Sequence, residues 1–213
     1  MDIEVKALTP DLIDDYLDFF DNRAFTDHQE WAFCYCASFC IEPEADKAID
    51  EAFEDSDKNT DLLHDLQRET AKRLVKEGKI QGYLAYLDDL AVAFCNANDK
   101  QGYPRHHWDE ELNQFISQSG SGRVKTVACF TVASQYRGRG VAAALMKRVI
   151  EDAAADGYEA VEGYPRLLQD HEPFDYTGPQ RLYEMFGFTT VASCRAADDG
   201  IWGQGCTIMR KQL

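Results

Sequence analysis

Apolar residues recur along the chain with two different periods, and the periods sort it into elements. IEVKAL (3–8) reads as a short strand. Thr9-Pro10 then supplies a cap and a first-turn proline. Leu12, Ile13, Tyr16, Leu17 and Phe20 recur on one side of the helix that follows. WAFCYCASFCI (31–41) is apolar with few helix formers, which predicts a strand or extended segment. The stretch 43–77 reads as helical. Within it Leu62, Leu63, Leu66, Ala71, Leu74 and Val75 follow a helical period, and Gly78 ends it. QGYLAYLDDLAVAFCNAN (81–98) predicts two apolar strands folded around Asp88-Asp89. Residues 97–122 are polar and carry Gly, Pro and Ser. A connection this long points to a functional loop, with WDEELNQFISQ as one short helix inside it.

VKTVACFTVA (124–133) is the strongest strand signal in the sequence. A helix over 138–156 follows, stopping near Gly157, and YEAVEGYP (158–165) is again a strand. The β-α-β order makes these two strands parallel. PQRLYEMFG predicts a further short helix. FTTVASC and QGCTIMRKQL flank ADDG and pair as an antiparallel hairpin. No internal repeat or low-complexity tract interrupts the pattern. The class is α/β with a mixed sheet.

Composition narrows the picture. The chain has 213 residues, 45% hydrophobic and 28% charged, which suits a single soluble domain over 1–213. No apolar run approaches the ~18 residues of a membrane span, so no membrane partner is expected. The N-terminus has no basic start followed by an apolar stretch, so a cytoplasmic location is expected. The net charge of −16 argues against nucleic acid as a partner and favours a cationic one. The seven cysteines, without a secretion signal, are expected as free thiols. Cys34, Cys36 and Cys40 with His28 are metal-capable types. Their single irregular cluster lacks the paired spacing of a zinc site, so no metal is expected. His106-His107-Trp108-Asp109-Glu110-Glu111 reads as a solvated or substrate-contacting loop. Trp31 and Tyr35 read as core or pocket wall, and Asn96 and Asn98 as polar groups on the substrate side. Of these, Asn96, Trp31 and Tyr35 are the candidate acceptor-binding residues.

The richest chemistry lies in QYRGRGVAAALMK (135–147), between the strongest strand and a helix. The N–H groups of a helix's first turn have no partner within the helix, and the helix dipole adds positive charge there. Gly138 and Gly140 permit positive φ and keep side chains out of the way. Arg137 and Arg139 add full charge. The segment therefore suits a pyrophosphate held by the main chain between Arg137 and Ala142. A nucleoside triphosphate loop would need Gly-Lys-Ser/Thr, and here Val141 follows Gly140. A dinucleotide fingerprint is a real competitor, since GRGVAA fits G-x-G-x-x-A and Glu162 lies about 20 residues on. However, ASQYR separates the glycine turn from its strand, and the turn lies in the C-terminal half. The remaining ligand is the ADP and pyrophosphate of coenzyme A.

Gln135-Tyr136-Arg137-Gly138-Arg139-Gly140 fits Q/R-x-x-G-x-G/A, and RLYEMFGF (181–188) carries Leu-Tyr followed by Gly-Phe on a second helix. In this order and distance the two segments resemble the GCN5-related N-acetyltransferases, the GNAT superfamily. The resemblance is specific over 124–188 and extends over 80–211, leaving 1–79 as a family-specific part with acceptor-side elements. It implies a mixed, mostly antiparallel central sheet flanked by helices, with a splayed parallel strand pair at the CoA site. It implies acetyl transfer from acetyl-CoA to a primary amine of a small molecule or peptide, and it is compatible with a homodimer. It makes Tyr183 the general acid. Phe130, Thr131 and Val132 become the strand that pairs with the pantetheine arm, and Arg137, Gly138, Arg139, Gly140, Val141 and Ala142 the pyrophosphate turn. Many members carry an asparagine seven residues before the tyrosine. Tyr176 stands there in this chain, so that contact is not expected. Glu162 is the first candidate for the base, beside a water chain that does the same work. Cys129 is expected to be a small core residue, not a nucleophile. An acyl-CoA-binding module with little catalysis and a nicotinamide-dependent oxidoreductase are the competing readings.

Overall fold

The computed structural model describes residues 2–166, 175–194 and 205–213. Seven strands form one sheet: β1 (Glu4–Ala7), β2 (Gly82–Leu87), β3 (Leu90–Asp99), β4 (Val124–Val132), β5 (Ala160–Gly163), β6 (Thr189–Cys194) and β7 (Cys206–Gln212). Their spatial order is β1-β2-β3-β4-β5-β7-β6. Every neighbouring pair is antiparallel except β4 with β5. Seven helices are described: α1 (Ile13–Asn22), α2 (Pro43–Asp55), α3 (Thr60–Lys76), α4 (Arg105–Trp108), α5 (Glu110–Ile116), α6 (Val141–Ala155) and α7 (Gln180–Met185). None is long and apolar enough to cross a membrane among the described residues.

The sheet is covered on both faces. Beneath α6, Leu145, Met146 and Val149 pack with Val127, Phe130, Val161 and Met209. On the other face Tyr16, Phe19, Phe20, Leu74 and Val75 pack with Leu84, Phe94 and Cys129. A smaller cluster joins Leu112, Phe115 and Ile116 of α5 to Tyr164, Cys206 and Ile208. Burial on both faces explains why β2 reads as an unbroken apolar run and not as an alternating one.

Turn chemistry sets the connections. Asp88 and Asp89 both take positive φ, as the tight hairpin between β2 and β3 requires. The predicted helical stretch 43–77 is two helices. Asp57 and Lys58 adopt positive φ, and the Asn59 side chain caps α3 by accepting from the Asp61 and Leu62 N–H groups. The polar stretch 97–122 holds two helices where one was expected, because Asp109 caps a separate start for α5 at Leu112 N. The turn expected at ADDG lies outside the described residues.

Residues 31–41 differ from expectation more deeply. They form successive turns with Cys36 at φ 49°, not a strand. The segment lies over the α1–α3 side of the sheet and buries Tyr35, Cys36, Cys40 and Ile41. Side chains satisfy its backbone in place of a strand partner: Tyr16 Oη donates to the Tyr35 carbonyl and Asn96 Nδ2 to the Cys36 carbonyl. Cys36 is also bonded to Cys129 of β4, so this pair is a disulfide where free thiols were expected. Cys34, Cys40 and Cys95 are free thiols.

Candidate functional site

The parallel β4–β5 pair ends at Val127 with Gly163, yet β4 runs on to Val132 beside β3. A register shift between Asn96 and Ala97 leaves Ala128 outside the pairing, at the point where β5 stops following β4. Beyond it, alternate backbone groups of β4 face a gap. The segment 175–178 enters this gap. Phe130 N–H donates to the Tyr176 carbonyl at 2.6 Å, and a side chain on Gly178 would come within 3.1 Å of the Phe130 ring. Asp175 fixes the segment by accepting from both Thr177 N–H and Thr177 Oγ1.

The glycine turn follows β4. Gly138 and Gly140 sit at φ +72° and +84°, and a Cβ added at either would meet nothing within 4 Å. Gly140 is the N-cap of α6 and has no side chain to cap it. Ala144 N–H is the first to bond into the helix, to Gly140 O. The N–H groups of Val141 and Ala142 precede it and have no partner within the helix. Arg139 is exposed, its guanidinium 5.8 Å from the Tyr136 ring. Arg137 is already engaged. Its guanidinium holds Asp27 in a forked ion pair at 2.5 and 3.2 Å, and its Nε donates to Val132 O at 3.0 Å. The sequence assigns both arginines to phosphate; in the structure Arg137 ties the turn to β4 and to the segment after α1.

Tyr183 lies fully buried at the point where the strands part. Its Oη donates to Thr177 O at 2.6 Å, and Phe188 packs edge-on at 5.3 Å. Burial pushes its phenol well above the usual range, so it stays protonated. Glu162 is one residue from this point and also fully buried. Its oxygens accept from Lys100 Nζ at 3.0 Å and Arg210 at 2.8 Å. Lys100 Nζ also donates to Ile116 O and Ser119 Oγ. A proton-accepting role for Glu162 would require breaking a buried, doubly paired arrangement.

The polar residues expected on the acceptor side are engaged within the fold. Asn96 spends both ends of its amide on the fold, donating to Cys36 O and accepting from Tyr103 Oη at 2.8 Å. Asn98 does likewise, with Lys79 O and Asp99 N–H. Tyr35 Oη donates to Asp21 at 2.6 Å and lies 2.8 Å from His64 Nε2. Trp31 is 40% exposed at the surface. Through Cys36 O, Asn96 reaches the segment that carries both Trp31 and Tyr35.

A group that the sequence did not single out lies on the face away from α6. His106, expected in a solvated or substrate-contacting loop, is buried. Its ring stacks near Tyr103 at 4.8 Å and Tyr164 at 5.9 Å. Burial pulls its imidazole down to about 4, so the ring is neutral near neutral pH. Among the described residues no group of three or more His, Cys, Asp or Glu is arranged to hold a metal.

Comparison with known proteins agrees with this geometry. Residues 77–190 match the family model described as an acetyltransferase (GNAT) domain. The sequence matches no curated protein. Three solved structures share the fold across nearly their whole lengths. A Drosophila melanogaster polyamine N-acetyltransferase, which catalyses the formation of N-acetylagmatine, is 16% identical, with 100% of each chain covered and a TM-score of 0.57. A mosquito arylalkylamine N-acetyltransferase-like protein is 11% identical, again with 100% of each chain covered and a TM-score of 0.56. An acetyltransferase from Streptococcus pneumoniae is 12% identical, covering 100% of this chain and 99% of that one, with a TM-score of 0.51.

Proposed function

The chain belongs to the GNAT acetyltransferase family and is an acyltransferase, and from that premise we propose that it carries acetyl from acetyl-CoA to a primary amine by direct attack of the amine nitrogen. Acetyl-CoA would supply an activated thioester. The observation that carries the reading is the open glycine turn at an uncapped helix start, a few residues after a strand that has lost its parallel neighbour. A Cβ at Gly82, within β2, would by contrast meet Cys95 O at 2.0 Å. The clear space at Gly138 and Gly140 suits a bulky anion instead.

The main chain from Gly138 to Ala142 would hold the pyrophosphate, with Arg139 alongside. Arg137 would hold the turn in shape through Asp27. Phe130, Thr131 and Val132 would present the β4 edge to the amide-rich arm, as an added strand pairs with a sheet. For this, Phe130 N–H must exchange the Tyr176 carbonyl for the incoming one. We assign proton donation to Tyr183 Oη, which burial keeps protonated and which lies where the strands part. Replacing Tyr183 by Phe is expected to lower turnover about 100-fold or more with little change in acetyl-CoA affinity. Turnover and binding measured on the same preparation check this. We read Glu162 as a fastener of β5, and residues 1–213 as one functional unit, since β1 pairs with β2.

The acceptor we propose is a cationic amine of the polyamine or agmatine class. The net charge of −16 and the activity of the Drosophila relative support it. Thermal unfolding with acetyl-CoA, CoA and NADH tests the donor site. A ligand at 100 times its Kd stabilises by about 2.7 kcal/mol. A raised midpoint with acetyl-CoA and none with NADH is expected, followed by thiol release on adding agmatine. No shift with any CoA species would overturn the reading.

A further inference from the structure

Two stretches of chain are anchored on neighbouring residues of β3. Arg23, at the end of α1, donates its Nε to Ala91 O at 2.9 Å. Ala133, just past β4, donates its N–H to Val92 O at 3.0 Å. Beyond these anchors the segment after α1 meets the glycine turn twice more. Thr26 Oγ1 lies 3.1 Å from Ser134 Oγ, and Asp27 takes the Arg137 guanidinium on both carboxylate oxygens. Adjacent residues of one segment thus grip the other at two points, 134 and 137.

The turn needs such support. Gly138 and Gly140 hold positive φ, and glycine loses more conformational freedom on ordering than any other residue. A Cβ at either would meet nothing within 4 Å, so neighbours do not pack against these positions. Within the turn, Tyr136 N–H donates to Ala133 O and Arg137 N–H to Ser134 O, which closes local turns only. A main-chain anion site binds well when its N–H groups are already in place; otherwise binding carries the cost of ordering them.

The segment that carries Asp27 is itself firm. Ala24 and Phe25 are buried in the core beside α1. Ala24 N–H donates to Phe19 O, while His28 N–H and Gln29 Nε2 both donate to Phe25 O. Burial alone would raise the Asp27 carboxyl. The bond to Arg137 more than offsets this and holds it below the usual range, so it is charged at neutral pH. Asp27 also lies outside residues 77–190, which match the family model, and inside the part that the sequence assigns to the acceptor side.

We propose that Asp27 is a positioning residue of the donor site. Acting through Arg137, with Thr26 on Ser134 beside it, it holds the glycine turn in the shape that receives the pyrophosphate of CoA. This rests on the acetyl-transfer reading and deepens it, because it brings the segment after α1 into donor binding. The sign of the effect is opposite to that of bare charge. CoA is a polyanion, so removing a carboxylate that acts only as a charge strengthens its binding. Removing one that positions the turn weakens it.

Asp27→Ala tests this in the full chain, with CoA as the probe. The Asp27 side chain is 35% exposed, so losing the pair should leave the unfolding midpoint without ligand close to that of wild type. The Kd for CoA, measured by titration calorimetry, should rise about tenfold. The KM for acetyl-CoA, from thiol release with agmatine, should rise by a similar factor while kcat at saturation stays within about twofold. Arg137→Gln supplies the second arm, and the two substitutions should not add. In the Arg137→Gln chain, Asp27→Ala should leave CoA affinity unchanged or raise it, since only the repulsive charge remains to be removed. Unchanged or tighter CoA binding in Asp27→Ala alone overturns the proposal. So does the same weakening in both backgrounds, or a fall in kcat as large as the rise in KM. In each of these cases wild type still binds CoA and the acetyl-transfer reading stands. If wild type binds neither CoA nor acetyl-CoA, that reading fails and takes this proposal with it.

Discussion

Gly163 occupies a position that admits no side chain. A Cβ there would lie 2.2 Å from Tyr183 Cε1 and 2.5 Å from its Oη, both on a ring that is itself fully buried. Gly163→Ala should therefore displace the ring and break its bond to Thr177 O. The expected cost is about 1–3 kcal/mol of stability from overpacking, together with a loss of turnover like that of Tyr183→Phe. Denaturant unfolding and thiol release on one preparation would check both parts. His106 makes a second residue-scale prediction. Its imidazole is held down to about 4 from an ordinary 6.5, first by burial and then against the opposing bond to Lys100 O. Between those values the unfolded chain binds a proton that the folded chain refuses, so stability rises with pH across that window. The His106 contribution is on the order of 3 kcal/mol between the two ends. Stability curves at pH 4.5 and 7 should differ less in His106→Asn than in wild type; an unchanged difference would show that another group carries the slope.

At the scale of elements, one buried carboxylate joins three pieces of chain. Glu162 on β5 binds Lys100, just beyond β3, and Arg210 on β7, while Arg210 also donates to Ser119 O after α5. Glu162→Gln removes the charge that two buried cations share. Breaking such a pair costs about 3–5 kcal/mol. A large fall in unfolding free energy is expected, with turnover per folded molecule retained in the cold; turnover lost without loss of stability would restore Glu162 as the base. The elements that this carboxylate joins were mostly legible in the sequence. β2, β3, β4, α6 and β5 follow from local periodicity and from turn residues such as Asp88, Asp89 and Gly157, which act through their immediate neighbours. The glycine turn was legible for the same reason. Residues 31–41 were not, because their backbone is satisfied by Asn96 and their side chains by Cys129 and Thr131, partners far along the chain. The same physics hid the ion pair of Arg137, whose partner Asp27 is 110 residues away. It also hid His106, whose burial depends on Tyr103, Tyr164 and Phe39 arriving from three different elements or loops.

For the molecule as a whole, the problem is to bind a polyanionic donor on a chain of net charge −16. On the proposed reaction, long-range repulsion would oppose CoA, and long-range attraction would draw in a cationic amine. A main-chain phosphate site suits this situation. Peptide N–H groups and a helix dipole act over a few ångströms and are hardly screened, whereas the field of the whole surface decays over a Debye length of about 10 Å at 0.1 M salt. The two substrates should then respond to salt in opposite directions. Raising ionic strength from about 0.02 to 0.3 M shortens that length roughly fourfold. It should weaken kcat/KM for agmatine, a dication, by up to about tenfold. The monocation ethylamine should lose less, and acetyl-CoA affinity should hold steady or rise. Initial rates of thiol release at several sodium chloride concentrations, with each substrate varied in turn, measure all three slopes. Parallel slopes for dication and monocation would mean that the acidic surface does not steer the acceptor. A steep loss of acetyl-CoA affinity with salt would mean that side-chain charge, chiefly Arg139 beside the turn, and not the main chain, holds the donor.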